Sequence, residues 1–162
     1  PGHPGPLLMA TTLEIVGAIK GRLAAKLPGL VVEYFPERPD DYRLNHPKGA
    51  LLVSYLGSRF GDIADIEIVA QERTAKFSVT VLLRQLNGNG GAIDVLDQVR
   101  QALAGFRPPD CRKVWIVGER YLGESTGIWQ YAVDFATETM LVEDTDIGLE
   151  PLLTTVDYEV NP

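Results

Sequence analysis

The residues most open to a chemical reading are NGNGG, Asn87 to Gly91, set between a strand pattern and a helix pattern. A phosphate-cradling loop uses such a turn, because glycines let backbone N–H groups converge at a helix N-terminus. Two tests fail. Gly91 leads into Ala92, Ile93 and Asp94, so the Lys-Ser/Thr pair of a P-loop is missing. Gly88 and Gly90 would open a Gly-x-Gly-x-x-Gly fingerprint, but Ile93 stands where its third glycine belongs. Asp94 suits a helix dipole and repels a phosphate, so the stretch reads as a flexible turn. Cys111, the single cysteine, follows a double proline with Arg112 and Lys113 beside it, a setting that lowers a thiol pKa. His46 is the only base to pair it with, and no local signature joins the two. Asp40, Asp41 and His46 share one loop, but no further His or Cys completes a metal site. Trp115, Trp129 and the tyrosines would stack bases only in basic surroundings, and theirs are acidic. No catalytic, cofactor-binding or metal-binding residue is assigned, and the chain reads as non-enzymatic; the alternatives are a small ligand-binding or enzymatic domain using the Asn87 to Gly91 turn, and a monomeric adaptor module.

The elements that carry these residues centre on Lys76 to Phe106. KFSVTVLLR alternates Phe77, Val79, Val81 and Leu83 against Ser78, Thr80 and Arg84, a strand with one buried face. After the turn, Ala92, Val95, Leu96, Val99, Ala102, Leu103 and Phe106 recur at steps of three and four, one apolar helical stripe. Upstream, Thr11 or Thr12 caps a first helix with Glu14 placed for a capping box. Its apolar face is Ile15, Val16, Ile19, Leu23 and Leu27, and Pro28-Gly29 ends it. Gly17 and Gly21 suit close packing on the protein's own sheet, the alternative being an intersubunit contact.

Leu30 to Phe35 and Gly49 to Ser58 read as strands, joined by the charged, proline-rich loop PERPDDYRLNHP. Ile66 to Gln71 alternates and predicts a hairpin with the strand from Lys76, its charged tip QERTAK projecting outward. Lys113 to Gly118 predicts a short buried strand, ERYLGESTG a polar loop, and Ile128 to Ala136 a strand whose Trp129, Tyr131, Val133 and Phe135 share one face, expected to be core, the alternative being a contact surface. Leu153 to Val160 alternates as a last strand that returns to its own sheet edge or adds to a neighbour's. The fold class is α+β, a mostly antiparallel β-sheet with two main helices packed on one face. Residues 1–8 read as a flexible extension or expression remnant, 9–140 as one domain, and 141–162 as an acidic segment.

The 162 residues suit a single domain that needs no metal or disulfide staple. A net charge of −7 and a pI near 4.8 argue against nonspecific nucleic-acid binding, which needs a Lys/Arg excess. No apolar stretch approaches the roughly 20 residues of a membrane span.

The order and local phrasing of TTLEIVGAIKGRLAAKLPGL, YLGSRFGDIAD, VTVLLRQLNGNGGAIDVLDQVRQAL and GIWQYAVDF resemble the bacteriophage tail terminator and tail-completion family, including its Mu-like prophage and tailocin members. The resemblance implies a structural protein without cofactors that assembles as a homohexameric ring. Such a ring caps the tail tube and meets the sheath or the head–tail connector. It implies assembly in the bacterial host cytoplasm into a virion or tail-like particle, with no sequence-specific nucleic acid and no membrane as partner. The candidate interface is then Glu72, Arg73, Thr74 and Lys76 of the tip, Arg38, Asp40, Asp41 and Tyr42 of the proline-rich loop, and Val156, Tyr158 and Val160 of the last strand.

Overall fold

The long alternation after Ala70 sets the architecture. A computed structural model describes residues 9–64 and 66–144. In it β3 (Ala70–Leu83) is the middle of a five-stranded sheet ordered β1-β2-β3-β5-β4. The others are β1 (Val31–Tyr34), β2 (Gly49–Phe60), β4 (Trp115–Ser125) and β5 (Ile128–Val142), with helices α1 (Thr12–Lys26) and α2 (Ala92–Leu103). Only β1 and β2 pair in parallel. The fold is α+β, as the periodicities predict.

One face of the sheet is closed by both helices. Ala75, Phe77, Val79, Val81 and Leu83 of β3 are buried there beside Leu51 and Val53 of β2 and Val133 and Phe135 of β5. Phe77 and Phe135 stack with centroids 5.7 Å apart. Trp129 and Tyr131 pack against the same core, so the aromatic row of β5 does face inward. The first helix presents Ile15, Val16, Ile19 and Leu23 to this core. Thr11 Oγ1 accepts from Glu14 N at 3.1 Å while Glu14 Oε1 accepts from Thr11 N at 2.9 Å, the reciprocal capping box. Gly21 has nothing within 4 Å of where a Cβ would stand, so close packing on the sheet does not account for it.

Three predicted boundaries move. Gln71 to Lys76 is not a hairpin tip but part of β3, paired on one side with β2 (Phe60 opposite Arg73) and on the other with β5 (Met140 opposite Glu72). The period of two runs unbroken through polar residues here because Glu72, Thr74 and Lys76 lie on the face away from the helices. Neighbours on both sides satisfy the backbone. Of the strand expected at Ile66 to Gln71, only its last two residues belong to one, and the true tip is the connection between Phe60 and Ala70. The short buried strand expected at Lys113 to Gly118 is instead an exposed edge strand, and it continues through most of the supposed polar loop to Ser125. Thr126 (φ 49°) and Gly127 (φ 81°) turn it into β5, the paired positive φ of a two-residue hairpin. Register shifts at Ile116/Gly118 and Tyr121/Gly123 bulge β4 and blunt this edge against further pairing. The last strand expected at Leu153 to Val160, and residues 1–8, lie outside the described residues.

The other face of the sheet is covered by chain rather than helix. A parallel pair cannot be closed by a tight turn, and the proline-rich loop supplies the crossover from β1 to β2. Its Tyr42 and Leu44 pack with Val31 and Ile128 onto Ala50, Leu52 and Leu82. The loop is thus partly a second roof and not only a solvated connection.

Candidate assembly surfaces

The glycine turn, Cys111 and His46 are each engaged in holding the fold. In the glycine turn, Gly88 (φ 80°) and Gly90 (φ 83°) adopt left-handed backbone, and a Cβ on Gly91 would meet Leu86 O at 2.6 Å. The turn's donors point inward. Gly91 N bonds Gly88 O, Ala92 N bonds Gln85 O, Ile93 N bonds Leu86 O, and Gly90 N donates to Asp94 Oδ2 at 2.8 Å. The N–H groups of Gly90, Gly91, Ala92 and Ile93 are thus taken, and Asp94 already supplies a negative charge at the start of α2.

Cys111 is fully buried beside Thr137 and Thr139, and desolvation raises its thiol pKa, the reverse of the activation its basic neighbours suggest. Thr137 Oγ1 donates to Arg112 O and Thr139 Oγ1 to Asp110 O, both at 2.7 Å, which pins this segment over the end of the core. His46 Nδ1 accepts from Lys48 N at 3.1 Å and Gly49 N at 3.2 Å, a local staple that starts β2. Gly49 pairs with Leu83 and Thr139 with Arg73. His46 and Cys111 therefore sit near opposite ends of the sheet, about 33 Å apart at ~3.3 Å per residue. Among the described residues no three His, Cys, Asp or Glu side chains group as a metal site.

The candidate interface residues separate into three places. Arg73 is withdrawn from solvent contacts: Nη2 donates to Thr12 Oγ1 at 2.6 Å and Nε to Ser58 Oγ at 2.9 Å, with Tyr55 OH at 3.3 Å. It ties the start of α1 to β2. Tyr55, bonded to Ser58 Oγ at 2.7 Å and lying under this guanidinium, has its pKa lowered, chiefly by the Ser58 bond. Glu72, Thr74 and Lys76 share the sheet face away from the helices. Arg38, Asp40, Asp41 and Tyr42 lie on the crossover loop, where Pro39–Asp41 make one 3-10 turn. Tyr42 OH donates to Glu33 Oε1 at 3.1 Å, and burial together with that carboxylate pushes its pKa up to about 12. Val156, Tyr158 and Val160 lie outside the described residues.

Two further surfaces emerge only in three dimensions. Under the crossover loop lies an open cavity of about 560 Å³. Its apolar walls include Phe35, Tyr42, Leu44, Leu52, Leu82 and Ile128, and Arg43 and Thr126 stand among its polar lining. At the far end of the sheet, the β2–β3 connection exposes Phe60, Ile63, Ile66, Ile68 and Val69 within ten residues, Ile66 at 97%. Single exposed apolar side chains are ordinary, but four in one connection, with Phe60 at its edge, form an exposed apolar patch. The signal was present in FGDIADIEIV as isoleucines spaced through a Gly/Asp-flanked stretch. A connector followed by a strand accounted for it equally well.

A family model described as Gp37 protein matches residues 19–160. By structure, the chain is similar to a chain of the "Virion of native gene transfer agent (GTA) particle", with a TM-score of 0.54 and 16% identity. That likeness covers 83% of this chain and 98% of the other, and at such identity it concerns the fold. No curated protein matches in sequence.

Proposed function

The chain belongs to the Gp37 protein family, and from that premise we propose that it is a structural protein of a phage-tail-like particle. Its specific role is that of a ring-forming terminator, capping the tail tube and joining it to the head or connector. The observation that carries this reading is a convergence. Residues 19–160 match the family, and the fold coincides with nearly the whole of one chain from a gene transfer agent virion. The engaged glycine turn, buried thiol and stapled imidazole support a role without catalysis.

A ring requires a heterologous interface that closes on itself, with one patch of each copy meeting a different patch of the next. A hexamer is the expected state, assembled in the bacterial host cytoplasm and retained in the virion or tail-like particle. The crossover loop with Arg38, Asp40, Asp41 and Tyr42 and the outward Glu72, Thr74 and Lys76 are the surfaces we assign to copies, tube, sheath or connector, with Val156, Tyr158 and Val160, outside the described residues, kept as candidates from the sequence. A net charge of −7 suits a lumen that passes DNA without gripping its phosphates.

Light scattering after size exclusion, with negative-stain images of the main peak, tests the reading. A closed multi-copy ring, alone or formed on added tail tubes, supports it. A strict monomer that ignores tubes overturns it. Disrupting the gene in a producing strain should leave tail tubes of irregular length without attached heads, whereas normal particles would exclude the terminator role.

A further inference from the structure

We propose that the β2–β3 connection of one copy seats in the cavity beneath the crossover loop of the next, forming the head-to-tail contact of the ring. The inference rests on the ring reading above and names the two surfaces it needs. The knob's isoleucines are not fully covered by any described residue, with Ile66 97% exposed between the half-exposed Ile63 and Ile68. The socket is concave, about 560 Å³, and walled by Leu44, Leu52, Leu82 and Ile128. Burying several isoleucines there removes the apolar surface that each copy leaves in water.

A copy cannot fill its own socket. The knob follows Phe60 and precedes Ala70, whereas the socket surrounds Leu82 at the other end of β3. Twelve residues of strand hold them about 40 Å apart, at ~3.3 Å per residue. The knob is tethered on both sides: Gly61 N bonds Glu72 O, and Ala64 N bonds Ala70 O. The occupant we assign is a second copy, because two unlike patches at opposite ends of one sheet make a heterologous contact. Charge agrees with the pairing. Asp62 precedes the knob's isoleucines, and Arg43 stands at the socket with only the carbonyl of Tyr42 as its acceptor among the described residues.

The test uses the full chain and three sets of variants. Ile66→Arg spoils the knob, Thr126→Arg blocks the socket from an exposed turn, and Asp62→Arg with Arg43→Glu reverses the charge pair. All are surface changes, so far-UV circular dichroism and thermal midpoints should match the parent. Each of the first two should weaken self-association by at least about tenfold, as a charge placed in a hot-spot contact does. Mixed one to one they should form a two-copy species and nothing longer, because one retains a socket and the other a knob. Each charge reversal alone should weaken the ring, and the double reversal should restore it. If the parent forms a ring and Ile66→Arg forms the same ring, this inference falls while the ring reading stands. If the parent stays monomeric even on tail tubes, both fall.

Discussion

The helix-covered face and the loop-covered face of this sheet are closed by different means. Two helices, one with a reciprocal cap, lay continuous apolar stripes over the first, and its β3 residues from Ala75 to Leu83 lose nearly all contact with water. The second face is roofed at one end by Tyr42 and Leu44 of a proline-rich crossover, which leaves a cavity beside them. Its centre is polar: Ser78, Thr80, Lys76 and Asp134, with Arg120 bridging to Asp134 at 3.2 Å. Helices bury a face completely because their side chains project at regular spacing along a rigid rod. A crossover without regular structure anchors at a few side chains. The closed face holds the monomer together, and under the proposal above the incompletely covered face and the sheet's far tip are the surfaces that meet other chains.

Substitutions can break this division, and the largest effect is expected in the closed core. Phe135→Ala removes a fully buried ring stacked on Phe77 and should cost about 3–5 kcal/mol in urea unfolding. A loss below about 1 kcal/mol would mean that the helix face is not the stabilising one. Thr137→Val should cost about 1 kcal/mol, because it removes the part-buried hydrogen bond to the carbonyl of Arg112. On the second face, Leu44→Ala is expected to cost only about 1 kcal/mol, since Leu44 is partly buried and the open cavity beside it already admits water. Smallest of all, Ile66→Asp should leave monomer stability within about 0.5 kcal/mol while changing the state of association.

Alkaline pH sharpens the same contrast. Tyr42 has its pKa raised in the folded state from 10.0 to about 12. The folded protein holds this proton more tightly than the unfolded chain, so the contribution is fully present below pH 10 and is lost as pH rises toward 12. The crossover should therefore loosen in that window. Tyrosinate absorbance and thermal midpoints followed together would show it, and Tyr42→Phe should remove that part of the pH dependence. A midpoint with the same pH dependence in Tyr42→Phe would place the loss elsewhere.

What the residues declare by themselves is local. The alternation of Phe77 to Leu83, the stripe of Ala92 to Leu103, the Thr11–Glu14 cap and the alternation of β5 all follow from periodicity and cap chemistry between near neighbours in the chain, whereas the inward direction of β5's aromatic row came from its packing. The α+β class follows from adding them. The glycine turn was legible as a turn for the same reason. Other features depend on partners distant in sequence. Gln71 to Lys76 looks like a charged tip until β2 and β5 flank it, and Arg73 looks like a surface charge until Thr12 and Ser58 accept its protons. Cys111 sits among cationic neighbours in the chain, yet in space it is closed over by β5 and the loop it belongs to. The cavity and the isoleucine knob exist only because strand pairing sets one end of the sheet against the other. Period and capping are properties of a segment, and the sequence determined them; burial, pairing and the distance between two patches are properties of the assembled chain, and the tertiary structure alone decided those.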